Sequence, residues 1–119
     1  MSKTNNIIEV LEVAIGSEAL RQKAIANNVA NIETPGYRRI DLKFEQLLAK
    51  ALNPDGYVDL KEVEPILYNP KNTPVKSNGN DVKLEIEVGE MVKNSIRHKL
   101  FVRMLNKKYQ NIQEAINVK

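Results

Sequence analysis

From Leu84 onward the chain places a residue on one helical face at unbroken alternating steps of four and three: Leu84, Val88, Met91, Ser95, His98, Val102, Leu105, Tyr109, Ile112 and Ile116. Such a repeat is the seam of a coiled coil, about 50 Å long if helical throughout. It constrains the rest of the fold, because a seam of that length needs a partner of similar length. Ser95 and His98 are its polar members. Ile96, Phe101 and Met104 lie off the seam and widen the apolar surface beyond what one partner helix covers, so a second contact surface is expected. The start is open between residues 82 and 90. Asp81 is a candidate N-cap, yet Val82, Leu84, Ile86 and Val88 alternate as a strand would, and Gly89 weakens a helix.

The partner available is Ile7 to Asn31. There Ile8, Leu11, Ile15, Ala19, Ala26 and Val29, with Ile25 alongside and Gln22 as the polar member, recur at helical spacing and predict a helix of roughly 37 Å. Gly16 costs about 1 kcal/mol relative to alanine unless another backbone approaches, a weak point that allows a bend or fraying. The pattern then runs into Asn27, Asn28 and Asn31 and stops at Thr34-Pro35-Gly36. Proline cannot continue a helix, and glycine takes the positive φ that a sharp change of direction requires. Asparagine amides at a helix end cap carbonyls or bond a neighbouring chain.

Between these helices, residues 37–42 read as extended and 44–52 as a short helix with Asp41 as candidate N-cap and Phe44, Leu47, Leu48 and Leu52 on its apolar face. From Asn53 to Asp81, four prolines and two glycines break the chain into short segments. They predict turns with room for one short β-hairpin, and residues 71–81 are expected to lack fixed structure in the isolated protein. The fold class is therefore mainly α and elongated, with long N- and C-terminal helices pairing as an antiparallel coiled coil. Residues 1–33 form the first helix, 34–81 a turn, a short helix and an irregular middle segment, and 82–119 a terminal helix that makes one unit with the first.

Little supports catalysis. His98 stands alone on an apolar seam, which suits an interface imidazole better than a proton-transfer group. The pairs Glu62/Glu64 and Glu85/Glu87 read as solvated carboxylates. Residues 51–62 follow part of a calcium-loop pattern, but Ala51 occupies the first ligand position and Pro65 would interrupt the exiting helix, so no metal site is expected. Without cysteine there is no disulfide, thiol nucleophile or thiolate site. No cofactor is implied. Basic and acidic residues, 18 against 15, are too evenly mixed to point to nucleic acid. A small helix-turn-helix DNA-binding protein, with the motif at Leu20 to Leu48, is the alternative function, although Pro35-Gly36 would break its recognition helix in the first turn. No apolar run is long enough for direct membrane insertion, and the N-terminus lacks the pattern of a conventional secretory signal. Pattern alone leaves two readings open: an assembly module, or an ordinary small helical domain whose ends pack as its core.

The motif from Ala26 to Arg39, Ala-Asn-Asn-Val-Ala-Asn-Ile-Glu-Thr-Pro-Gly-Tyr-Arg-Arg, resembles the N-terminal signature of bacterial flagellar rod and hook proteins. Residues 40–45, the Gly79-to-Glu87 segment, the short length and the terminal helix narrow the resemblance to proximal rod proteins of the flagellar basal body. It covers nearly the whole chain and is weakest at 53–76. The resemblance implies a structural subunit without turnover, whose paired helices form the inner tube of the flagellar axis, transmit torque and line the export channel. It implies as partners copies of itself, other flagellar rod proteins, the rod adaptor at the membrane-embedded ring and the flagellar type III export apparatus, with no nucleic acid. The implied location is the rod on the periplasmic side of the inner membrane, reached without a cleaved signal peptide.

Carried onto this chain, the resemblance implies that Asn28 and Asn31 bond neighbouring backbone, that Thr34, Pro35 and Gly36 fix the turn, and that Tyr37 packs against an adjoining chain. It adds Val102, Leu105, Tyr109, Ile112 and Ile116 to the subunit interface. The seam from Val88 to Ile116 is expected to pack on Ile8 to Val29, leaving the surplus flank for neighbours. Alanine at Asn28 and Asn31 should then impair assembly while leaving monomer helicity nearly unchanged, and the isolated termini should fray. Gly89 and His98 depart from the family's pattern.

Overall fold

The computed structural model describes residues 6–118. Two long helices dominate it: α1, Ile7–Ala30, and α3, Leu84–Asn117. They run antiparallel, since Asn28 reaches Glu87, Glu18 reaches Asn94, and Tyr109 reaches Glu12. The molecule measures 67 × 27 × 15 Å, the elongated, mainly α shape expected. Gly16 does not interrupt α1, and Gly89 sits inside a continuous α3, so helix prevails over the strand-like alternation of residues 82–88.

The middle segment folds over one side of this pair. After an extended stretch come β1 (Asp41–Lys43), α2 (Glu45–Ala51), a single 3-10 turn at Leu60–Glu62 and β2 (Ile66–Tyr68). β1 and β2 pair antiparallel, with Asp41 opposite Tyr68, Leu42 opposite Leu67 and Lys43 opposite Ile66. One strand of the pair thus comes from before α2, and the helix lies within the connection. Val10 and Ala14 of α1 meet Leu42, Phe44, Ala51, Val58 and Val63 in the core, with Leu48, Leu60 and Phe101 packed against it. Asn6 fastens the start of α1 to this segment: its Nδ2 donates to the Val58 carbonyl at 2.7 Å and its Oδ1 accepts the Val58 N–H at 3.0 Å.

Several local expectations give way to tertiary contacts. Asp41 lies in β1 and caps nothing, and Phe44 precedes α2. Asp81 does not cap α3, because its Oδ1 accepts the Arg39 N–H at 2.6 Å. Residues 71–81 are not structureless: Gly79 N–H donates to the Lys76 carbonyl, and Asn80, Asp81 and Val82 are fully buried. The helix-turn-helix arrangement is absent among the described residues. α1 runs unbroken to Ala30, the chain past Gly36 is extended, and α2 has only seven residues.

α1 and α3 pair by faces that share Leu11 and Ile25 with the predicted α1 stripe but are otherwise rotated from the ones their apolar patterns predict. α1 buries Leu11, Ala14, Glu18, Arg21, Ile25 and Asn28, one heptad stripe, while Ala19 and Ala26 are exposed. α3 buries Glu87 and Asn94. Its apolar seam lies beside that contact and is largely exposed: Val88 is 47% exposed, Tyr109 48% and Ile116 75%.

Candidate assembly interface

The turn after α1 is built as its residue types require. Tyr37 N–H donates to the Thr34 carbonyl at 3.2 Å, with Pro35 second in the turn and Gly36 third at φ +75°, the pattern of a type II turn. Gly36 N–H donates to the Asn78 carbonyl at 2.9 Å, docking this turn on the one at Ser77–Gly79. Gly79 has φ +85°, and a Cβ there would stand 3.2 Å from the Gly36 Cα. Asn80 locks the two turns together by donating from Nδ2 to the Asn31 and Thr34 carbonyls at 2.9 and 2.8 Å. Asn31 caps its own helix, donating to the Asn27 carbonyl and Oδ1, and its Oδ1 accepts the Thr34 hydroxyl.

Asn28 is fully buried and uses its whole amide within the chain. Nδ2 donates to the Ile40 carbonyl at 2.9 Å and to Glu87 Oε2 at 3.1 Å, and Oδ1 accepts the Ile40 N–H at 2.8 Å and the Tyr37 hydroxyl at 2.9 Å. Both hydrogens and both lone pairs are occupied, so in this conformation Asn28 has nothing left for the backbone of a neighbour. A bond to a neighbouring chain, the role inferred for it, would need one of these internal bonds to be given up. The Tyr37 hydroxyl is likewise engaged inside the chain; burial raises its pKa, and the nearby Glu87 and Asp81 charges raise it further. Glu87, expected in solvent, is wholly buried, with Oε1 accepting from Arg39 Nε at 2.8 Å. Asp81 lies 3.6 Å from Arg38. Thr34, Pro35 and Gly36 remain exposed.

A second polar cluster joins the helices farther along. Glu18 is buried, and its Oε2 and Oε1 accept from Asn94 Nδ2 at 2.6 Å and Arg97 Nε at 2.9 Å. Asn94 Nδ2 also donates to the Glu18 carbonyl. Arg21 stands 3.3 Å from Glu18 and donates to Glu45 Oε1 of α2 at 2.6 Å. Burial opposes the Arg21 charge, but the Glu45 hydrogen bond and the surrounding carboxylates raise its pKa. These charge-assisted bonds are short and directional. Sequence reasoning missed this cluster, because charged side chains are rarely buried unless paired. A signal existed: Leu11, Glu18 and Ile25 are spaced by sevens, as are Ala14, Arg21 and Asn28.

With its inward face set by Glu87 and Asn94, α3 leaves its regular seam along the margin of its contact with α1. Leu84, Val88, Met91, Tyr109, Ile112 and Ile116 are exposed, and Val102 and Leu105 are half-buried at the margin of α1. The Tyr109 hydroxyl reaches Glu12 Oε1 at 3.2 Å. A groove runs beside the seam, lined by Ala19 and Gln22 of α1 and Met91, Ser95 and His98 of α3. A continuous apolar strip on a helix marks a contact surface rather than a solvated one. Among the described residues no group of His, Cys, Asp or Glu could hold a metal ion, and no helix is long and apolar enough to cross a membrane.

Comparison with known proteins agrees with this geometry. A family model described as "Flagella basal body rod protein" matches residues 8–38, which span the buried stripe of α1 and the turn after it. The chain is similar to the flagellar basal body rod protein FlgB of Bacillus subtilis (strain 168), 29% identical with 98% of this chain and 97% of that protein covered. It is similar to the FlgB of Borreliella burgdorferi, 32% identical over 72% of this chain and 77% of that protein. The FlgB of Buchnera aphidicola subsp. Acyrthosiphon pisum is 27% identical with 97% of each covered.

Proposed function

Because the chain belongs to the family of flagellar basal body rod proteins, of the FlgB type, its function is structural, and we propose that it polymerises through the exposed seam of α3. It is a rod subunit that associates with other components of the flagellar basal body. The observation that carries the assembly mode is the orientation of α3, whose most regular apolar face is largely exposed among the described residues. Val102, Leu105, Tyr109, Ile112 and Ile116 are the contact residues on this reading, with Thr34, Pro35 and Gly36 exposed at the turn and Tyr37 presenting the open part of its ring.

Such a subunit turns over no substrate. Its partners are copies of itself, other rod proteins, the adaptor at the membrane-embedded ring and the type III export apparatus that delivers it to the periplasmic side without a cleaved signal. Torque passes through the packed helices around the export channel. Replacing Val88 and Ile112 by Ser tests the seam. The isolated variant should keep its helicity, since neither side chain is buried in the chain, and the cells should lose motility and the variant's co-purification with basal bodies. Normal motility would refute the seam as the assembly surface.

A further inference from the structure

From Met91 to Gln113, α3 carries six basic residues and no acidic one. Lys93 pairs with Glu90 of its own helix and Arg97 with Glu18, but Lys99, Arg103 and Lys107 are exposed and make no ion pair among the described residues. At helical spacing these three share a face with Ile96, Leu100 and Met104, of which Ile96 is 61% exposed and Leu100 51%. This face is opposite the side that packs on α1, where Asn94 and Phe101 point, and is distinct from the Leu84-to-Ile116 seam.

The middle segment has the opposite character. Residues 53–64 hold Asp55, Asp59, Glu62 and Glu64 against one lysine, and Leu52 beside them is 58% exposed. Asp55 and Asp59 accept the backbone N–H groups of Tyr57 and Lys61, which holds their loop turns in shape. None of the four carboxylates makes an ion pair among the described residues. The segment is rooted by Val58 and Val63 in the core on which Phe101 packs. It therefore lies at the level of Phe101 along the molecule, while Lys99 and Arg103, two residues to either side, point away from that core.

We propose that the basic face at Lys99, Arg103 and Lys107 docks the acidic segment 53–64 of a second copy, alongside and at nearly the same height. The charges are complementary, and exposed apolar residues accompany both patches, Leu100 and Met104 on one and Leu52 on the other. Patches at equal height on different sides of one molecule make a heterologous contact, which repeats around an axis into a ring or a shallow helix rather than closing as a dimer. Complementary charge sets the register of such neighbours more than their affinity. This inference rests on the rod-subunit reading and names the lateral contact between copies.

The chain has no cysteine, so cross-linking sites can be introduced cleanly. Arg103→Cys and Glu62→Cys are placed together in the full chain in motile cells, and isolated basal bodies are treated with a short bismaleimide. The expected result is a ladder of dimers and higher species from the double variant and none from either single variant. If the protein is in the basal bodies but the ladder is missing, the lateral contact is overturned while the rod reading stands; if the protein is missing from basal bodies, the rod reading itself fails. Charge reversal supplies an independent arm. Lys99→Glu/Arg103→Glu/Lys107→Glu and Asp55→Lys/Glu62→Lys/Glu64→Lys should each abolish motility, and the two sets combined in one chain should restore it. No rescue, or loss of wild-type binding to anionic vesicles in the basic-face variant, would assign that face to another partner.

Discussion

Asn28→Ala provides the sharpest test of the junction, because the sequence and the structure give opposite expectations for it. If the amide served a neighbouring subunit, the isolated protein would barely notice its loss. Inside the chain the substitution removes four hydrogen bonds and strands the Ile40 N–H and carbonyl, the Tyr37 hydroxyl and one oxygen of the buried Glu87 carboxylate. A net contribution of about 1 kcal/mol per bond gives about 4 kcal/mol; water admitted at the part-buried Ile40 and Tyr37 groups lowers this to about 3. That is a large share of the ~5–15 kcal/mol that holds a domain together. In urea, with an m-value near ~1.5 kcal/mol/M, the midpoint of the circular-dichroism transition should fall by roughly 2 M with little change in slope. Asn31→Ala is the internal control. Its amide bonds are local and exposed, so its loss should cost under about 1 kcal/mol. If Asn28→Ala also costs less than about 1 kcal/mol, the amide is not a structural lock and the intersubunit role returns.

Other outcomes follow from the same geometry. Gly36→Ala, with φ +75° and open space at the Cβ position, should cost about 1 kcal/mol, and Gly79→Ala, where the Cβ would crowd the Gly36 Cα, about 2, read from thermal melts; equal losses would refute the close packing of the two turns. Tyr37 has a raised pKa, so its protonated form contributes stability that is complete below the unfolded value of about 10 and is lost as pH rises through the higher folded value. Tyr37→Phe should remove that alkaline loss, and an unchanged alkaline profile would count against it. Glu18→Leu should cost about 3–5 kcal/mol by stranding Arg97, whereas Glu18→Leu with Asn94→Leu and Arg97→Leu should return to within about 1 kcal/mol of wild type in chemical denaturation. In hydrogen exchange on dilute protein, α3 beyond Tyr109 should exchange quickly while the start of α1, tied to Val58 by Asn6, is protected; a protected end of α3 would contradict the reading that it waits for a neighbour.

The backbone was more legible than the direction its faces would point. Thr34-Pro35-Gly36 could be placed from residue type alone, because proline's φ and glycine's positive φ are local constraints. α1 and α3 follow from period. Which side of each helix meets the other does not, because apolar periodicity finds surfaces that want burial but not the partner that buries them. Here the polar contacts between the helices run through Glu18, Asn28, Glu87, Asn94 and Arg97, and a polar residue earns an interior place only through partners distant in sequence. Asp81 was misread as a cap for the same reason: its oxygen goes to Arg39 N–H, 42 residues away. The β1–β2 pair was only half visible, since each strand has three residues and its partner lies across α2.

The charged contacts between the helices, with the apolar seam of α3 left exposed, explain how a chain of this size can hold a shape and still be committed to partners. Desolvation offsets much of what a buried ion pair gains, so the Glu18 and Glu87 clusters add little net stability for the area they cover. They add direction instead. Each carboxylate is satisfied in only one rotation and register of α3, and a slip of one residue would strand several charges at once. An apolar contact between α1 and α3 would tolerate rolling of one helix on the other, and α3 would roll until its own seam was covered. The monomer would then bury the surface from Val88 to Ile116 and have little left to offer. By fixing α3 with polar contacts, the chain keeps its best hydrophobic face available, and the free energy of covering that face is released only when another subunit arrives.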